Sequence, residues 1–267
     1  AASSSICIND STQLSASGAV TYSWYYPVNI SATSGSNIFA FPTTNTTYHV
    51  IGTDAFGCTD TAHIPLVVNP LPVMDMIAPT AAICYGDTAV LSASGAVNYS
   101  WSPTANISSS SGSPINVFPL ATTQYTVLGT DANGCQDTAM GTVFVNPLPI
   151  VNINPAADTI CRQDSISLLA TGGISYQWSP SASLSSSSGA SVNAGPISTT
   201  VYTVTATDIN GCQNTATSEI TVLAQPIVAV TAASSSICIN DSIQLSASGA
   251  LTYSWYYPVN ISATSGS

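Results

Sequence analysis

Apolar side chains recur on alternate positions in short runs along this chain, and the same runs return at a fixed interval. Leu14 goes with Ala16, Val20 with Tyr22 and Trp24, Ile38 with Ala40, Tyr48 with Val50, and Leu66 with Val68, one residue intervening each time. A period of two places such residues on one face of a strand, so each run predicts a half-buried strand, with Val20, Tyr22 and Trp24 sharing a face. The pattern reappears as Leu91 and Ala93, then Val97, Tyr99 and Trp101, then Ile115 and Val117, then Val143 and Val145. It returns once more as Leu168 and Ala170, then Ile174, Tyr176 and Trp178, then Val192 and Ala194, then Ile220 and Val222. Helical spacing is nearly absent. Ser/Gly-rich loops (SATSGS, SSSSGS, SSSSGA) separate the third and fourth runs, and GTDAFGC, GTDANGC and ATDINGC stand at one hairpin position, where Asn-Gly accepts positive φ.

The interval is 77 residues: it relates Cys7, Cys84, Cys161 and Cys238, then Trp24, Trp101, Trp178 and Trp255, then Cys58, Cys135 and Cys212, with no gap. Residues 232–267 repeat residues 1–36 with two changes, Ile243 for Thr12 and Leu251 for Val20, so the duplicated unit is three repeats long. Asn-Pro-Leu-Pro at 69–72 and 146–149 marks stiff, extended joints. The expected domains are 1–70, whose first strand is missing, 71–147, 148–224, and a partial repeat 225–267. Six or seven short strands with a Trp on the third predict an all-β fold: tandem immunoglobulin-like antiparallel β-sandwich domains in a rod, with Trp24, Trp101, Trp178 and Trp255 in the cores. A domain this small buries only about 60% of its chain surface and needs a staple or a neighbour.

Composition narrows the partners. Charged residues are 5% of the chain against about 25% in an ordinary domain. Arg162 is the single basic Lys/Arg position and the net charge is −11, so neither nucleic acid nor an anionic membrane surface is a fitting partner. The most apolar stretch, 64–84, is broken by four prolines and does not read as a membrane-spanning helix. AASSSIC at the start has no signal-peptide character, so an export signal is expected outside this stretch.

The elements ICxGDxxxLSASG, YSW, TTxYxV and TDxNGC together resemble the tandem Ig-like or PKD-like repeats of very large bacteroidete surface adhesins, which leave the cell by the type IX pathway. The resemblance covers the whole chain. It implies an extracellular, cell-surface spacer, adhesive or filament role, and it names no ligand. Arg162 and Gln163 depart from the pattern where Tyr85 and Gly86 stand, and Gly86 has no glycine counterpart in the first or fourth repeat, so that turn is expected to vary.

Two cysteines per repeat in a small β-rich exported domain point to disulfides. Pairing within a repeat joins Cys7 to Cys58, Cys84 to Cys135 and Cys161 to Cys212, leaving Cys238 a partner beyond the chain. This holds if four strands separate the two cysteines, because the chain then returns to the same end of the sandwich. If five passes separate them, the cysteines lie at opposite ends, and Cys7 with Cys135 and Cys84 with Cys212 is the better geometry. Spacing alone leaves in-repeat, inter-domain and free-thiol states open.

No nucleophile, base and orienter constellation is present, so the chain is not expected to be an enzyme. There is no CxxC and the two His do not recur, so no metal is assigned and no cofactor is expected. The columns Asp10, Asp87, Asp164, Asp241 and Asp54, Asp131, Asp208 offer calcium as one reading and Asx-turn capping as the other. Seven Asp-Ser/Thr-apolar triplets, with hydroxyls at Ser11, Thr61, Thr88, Thr138, Thr159, Ser165 and Ser242, resemble the bacteroidete O-glycosylation motif; the plain alternative is that Asp-Ser/Thr begins strands. Tyr25, Tyr26, Tyr256 and Tyr257 follow the Trp of repeats one and four, and one of each pair should face solvent as a candidate contact. The reading that follows is a non-enzymatic structural segment, a stiff adhesive rod or a multi-chain filament. Its partners are other copies of the chain or a surface glycan; a carbohydrate-binding or linker module of a secreted enzyme is the rival.

Overall fold

A computed structural model describes residues 4–25, 28–256 and 265–266, and every helix or strand among them is a strand. The first repeat contains β1 (Ser5–Cys7), β2 (Thr12–Ser15), β3 (Thr21–Tyr25), β4 (Asn37–Ala40), β5 (Thr46–Thr53) and β6 (Thr59–Asn69). They form two sheets, β1-β6-β5-β3 and β2-β4. Leu14, Trp24, Ile38, Ala40, Tyr48, Val50 and Leu66 are buried between them, which is the alternation of the sequence turned inward. Each such side chain contributes roughly 1.5–3 kcal/mol by leaving water. Equivalent cores gather around Leu91, Trp101, Tyr125 and Val143, and around Leu168, Trp178, Tyr202 and Ile220. The fold is thus all-β, with immunoglobulin-like antiparallel sandwiches in tandem. The chain divides into two compact units, Ala1–Pro147 and Leu148–Ser267.

Each core Trp is pinned by its polar edge. The indole Nε1 of Trp24, Trp101 and Trp178 donates to the carbonyl of Gly35, Gly112 and Gly189 at 2.9, 2.7 and 2.9 Å. These glycines lie in the Ser/Gly-rich loops, which are therefore ordered arms. In the first repeat the Trp24 amide donates to Thr33 O at 2.8 Å and Ile30 bridges Ala40, so residues 30–36 run back along β3 as an extra pass before β4. Five passes, not four, then separate β1 from β6, and β1 lies parallel to β6 with Cys7 opposite Asn69.

Three expectations are corrected. Val20, Val97 and Ile174 do not share the core face of Tyr and Trp: they are 67%, 64% and 72% exposed, because they sit in the turn before the strand. The turn after the first cysteine is uniform, since Asn9, Gly86, Gln163 and Asn240 all adopt positive φ, of 73°, 91°, 82° and 70°. Asn accepts that region more readily than most residues and stands in for glycine at 9 and 240, and Gln163 takes it as well. Trp255 is only half-buried, and no described hydrophobic residue after Ile220 is buried.

Burial pushes the Tyr48 and Tyr125 phenols above the ordinary value of 10.0. The unfolded chain ionises first, so the stability these neutral phenols contribute is whole below pH 10 and is lost as pH rises through their higher folded values. Tyrosinate absorbance in an alkaline titration should therefore rise in step with loss of the first and second sandwiches. A smooth titration of all tyrosines in the folded protein would contradict it.

Candidate functional site

The chemistry-bearing positions cluster at the ends of the sandwiches. At the hairpin turn Asp54 Oδ1 accepts from the Phe56 and Cys58 amides at 2.8 and 2.9 Å, Asp131 from Asn133 and Cys135 at 2.8 Å each, and Asp208 from Asn210 and Cys212 at 2.9 and 2.8 Å. This is Asx-type capping. In the other column, the Asp10, Asp87, Asp164 and Asp241 amides donate to the carbonyls of Cys7, Cys84, Cys161 and Cys238 in the turn after the first cysteine. In that column the Asp87 carboxylate also accepts from the Cys84 amide at 3.1 Å, and among the described residues no group of three His, Cys, Asp or Glu is arranged to hold a metal ion.

The capped hairpin also presents the second cysteine of each repeat. Cys135 is buried and bonded to Cys7 of the preceding repeat, with Cα atoms 5.5 Å apart and 128 residues between them in sequence. The in-repeat pairing of Cys7 with Cys58 is overturned. Cys7 lies at the Asn69 end of β6, while Cys58 precedes the opposite end of this strand of 11 residues, roughly 35 Å away at the rise of an extended chain. The Ser/Gly arm is the cause, because it supplies the fifth pass. Cys84 and Cys212 are disulfide-bonded as well. Cys58, Cys161 and Cys238 are exposed free thiols within this chain.

All seven triplet hydroxyls, at Ser11, Thr61, Thr88, Thr138, Thr159, Ser165 and Ser242, are exposed. Asp60, Asp137 and Asp158 hold the Thr61, Thr138 and Thr159 amides at 2.8, 2.7 and 2.7 Å, so these Asp-Thr pairs also shape local backbone. Tyr25 is 48% and Tyr256 86% exposed; Tyr26 and Tyr257 lie outside the described residues. Ser102 and Ser179 occupy the Tyr25 position in the second and third repeats, so no aromatic platform recurs there.

The sandwiches differ at one edge. In the second repeat β7 (Asp75–Ile77) pairs with the strand Ala89–Ser94, and in the third Asn152–Asn154 pairs with Ile166–Thr171. These strands push Met74 and Met76, or Val151 and Ile153, against the core. In the first repeat the corresponding positions fall before residue 1, and a groove of about 550 Å³ lies beside β2, lined by Leu14, Ala16, Tyr22, Trp24, Val50 and Ile64 among others. Alternation alone did not single out Met74, Met76, Val151 and Ile153, because these strands have only three residues. The signal was present but brief: Met74 and Met76, Val151 and Ile153, and Val228 and Val230 in the fourth repeat each keep the period of two over a single step.

No known protein-family model matches the chain, and no curated protein matches it. Among solved structures it is similar to the N-terminal eight Ig domains of Down Syndrome Cell Adhesion Molecule, at 12% identity over 82% of this chain and 35% of that one, with a TM-score of 0.39. The chain thus spans about a third of that structure. It is similar to a three-Ig fragment of titin at 12% identity, over 82% of this chain and 95% of that one, with a TM-score of 0.38. It is also similar to a Ca2+-stabilized adhesin with which an Antarctic bacterium binds ice, at 15% identity over 86% and 75%, with a TM-score of 0.33.

Proposed function

We propose that the chain is a non-enzymatic structural segment of an extracellular surface protein, working as an adhesive rod or as a strand of a multi-chain filament. The observation that carries this reading is the Cys7–Cys135 bond, which staples one repeat to the next and leaves each sandwich closed by its own core. A bond placed between repeats serves the array, whereas an isolated module gains more from a bond inside itself. Disulfides of this kind persist in oxidising surroundings, which favours a position outside the cell. No helix of the described residues is long and apolar enough to cross a membrane.

The surface supports the multi-chain form. Charge is sparse, and an exposed apolar side chain recurs at one turn position of each repeat, Val20, Val97, Ile174 and Leu251. Either glycan on the seven exposed hydroxyls covers such a surface or other copies of the chain do. A patch that returns every repeat makes even weak side-by-side contacts persistent. Mass spectrometry of the native protein should find sugar on Ser11, Thr61, Thr88, Thr138, Thr159, Ser165 or Ser242; bare hydroxyls throughout would leave self-packing as the cover. Sedimentation of the deglycosylated chain should then show multimers at micromolar concentration that persist in high salt, since no salt bridges are called on. A strict monomer under both conditions defeats the filament and leaves the single rod.

A further inference from the structure

Strand register brings the two histidines of the chain together, a relation that the 77-residue columns do not display. His49 on β5 stands directly opposite His63 on β6. Hydrogen bonding decides how close they come. The hairpin closes with the Asp54 amide donating to Cys58 O at 2.9 Å, so bonded pairs recur at every second position and His49–His63 falls between two of them. The Val67 amide, on the same side of β6 as that of His63, accordingly turns away from β5 and donates to Ser4 O. Opposite residues in a pair of this kind have Cα atoms about 4.5 Å apart, the closer of the two antiparallel spacings. The imidazole rings lie with centres 5.8 Å apart and planes tilted by 33°.

Both rings belong to the outer face of the sheet. Tyr48 and Val50 are buried in the core, so His49 between them points the other way; it is half-buried, and His63 is exposed. In the second repeat, where the edge strand β7 is in place, the same two positions hold Thr126 and Met140, and Met140 is 64% exposed. The third repeat carries Thr203 and Thr217 there, again half-buried and exposed. This face is therefore open in the sandwiches that have their edge strand, and its exposure in the first repeat does not depend on that strand.

We propose that His49 and His63 form a two-imidazole site for a divalent ion of the zinc, nickel and copper class, with water in the remaining positions. Imidazole suits those ions, whereas calcium and magnesium call for oxygen ligands. A tetrahedral ion with Zn–N bonds of about 2.0–2.1 Å sets two ring centres about 5 Å apart. The observed 5.8 Å closes to that by a small rotation about the broad χ2 torsions of histidine. The net charge of −11 draws cations toward the chain. With no third His, Cys, Asp or Glu beside the pair among the described residues, the site exchanges its ion with solvent and is not a closed structural centre. The ion spans β5 and β6, so it ties the long hairpin of the first sandwich and binds the folded form, in which the rings are opposed. The site goes beyond the rod or filament reading and requires neither.

The test titrates the full chain, its free thiols carbamidomethylated, with zinc chloride while the imidazole nitrogens are followed by NMR; with two histidines in the chain their signals are unambiguous. Both rings should shift together and saturate at one ion per chain, and calcium chloride should move neither. His49→Thr and His63→Thr install the residues that the third repeat already carries at these positions, so the sandwich is kept. Either substitution should weaken zinc binding by about tenfold or more, because the second ligand no longer comes from the same molecule. At about ten times the dissociation constant, hydrogen exchange that requires unfolding of the first repeat should slow about tenfold, with no change in the third. The converse pair, Thr203→His with Thr217→His, should raise the stoichiometry from one ion to two. A shift of one ring alone, a single variant that binds as tightly as the parent, zinc binding that survives loss of both histidines, or a transplanted pair that takes no second ion overturns the proposal.

Discussion

Replacing Trp101 with alanine should cost the second repeat about 3–5 kcal/mol, the range for truncating a buried Trp. The side chain is 2% exposed at the centre of its core, and its Nε1 bond to Gly112 O holds the Ser/Gly arm against the sandwich. Loss of the ring thus opens a cavity and orphans a carbonyl, two costs that add. Denaturant unfolding of the whole chain, followed by hydrogen exchange in each repeat, separates local from global effects. The second repeat should melt early while the third, with its own core around Trp178, keeps its midpoint. A loss under about 1 kcal/mol would place Trp101 outside the core and remove the basis of the sandwich assignment.

The second large effect is expected from Cys135→Ser. With the first repeat folded, Cys7 is fixed near the joint, and the bond closes a loop through much of the second repeat. On the chain-entropy account, a loop of 60 to 130 residues gives about 4–5 kcal/mol. The variant should lower the midpoint of the second repeat by that amount and leave the first repeat's core almost unchanged. Cys58→Ser in the same chain serves as the control: its thiol is exposed and unbonded, so a shift beyond about 0.5 kcal/mol there would contradict the connectivity.

The strands and cores were legible because the alternation of Leu14, Trp24, Ile38, Tyr48 and Leu66 is a direct image of two packed sheets. The disulfide pairing was open because it turns on counting passes, and the arm at residues 30–36 makes a pass with isolated bridges and no apolar period. Val20 was misplaced for a related reason. Period two continues through it in the sequence, but Gly18 at φ +98° ends the strand geometry, so the alternation there is that of a turn. Asn9 and Gln163 hid a uniform turn, because left-handed backbone was expected of glycine alone. The missing first strand of 1–70 was expected from the repeat bounds, and the second and third repeats show which sheet edge that strand covers.

The covalent shortcut between Cys7 and Cys135 also changes what happens when the chain is pulled from its two ends. Tension entering along the backbone reaches Cys7 and crosses to Cys135 through sulfur, so the residues between them carry no load while the bond holds. Those residues, within a sequence separation of 128, would otherwise pay out roughly 430 Å of extended chain at about 3.4 Å each. The span includes β2 to β6 and the second sandwich as far as Thr130, while the strand Gln136–Val143 lies beyond Cys135 and still carries load. Oxidation state thus sets how far this segment stretches: an oxidised tether keeps nearly constant length, and a reduced one becomes a reservoir of slack released one sandwich at a time.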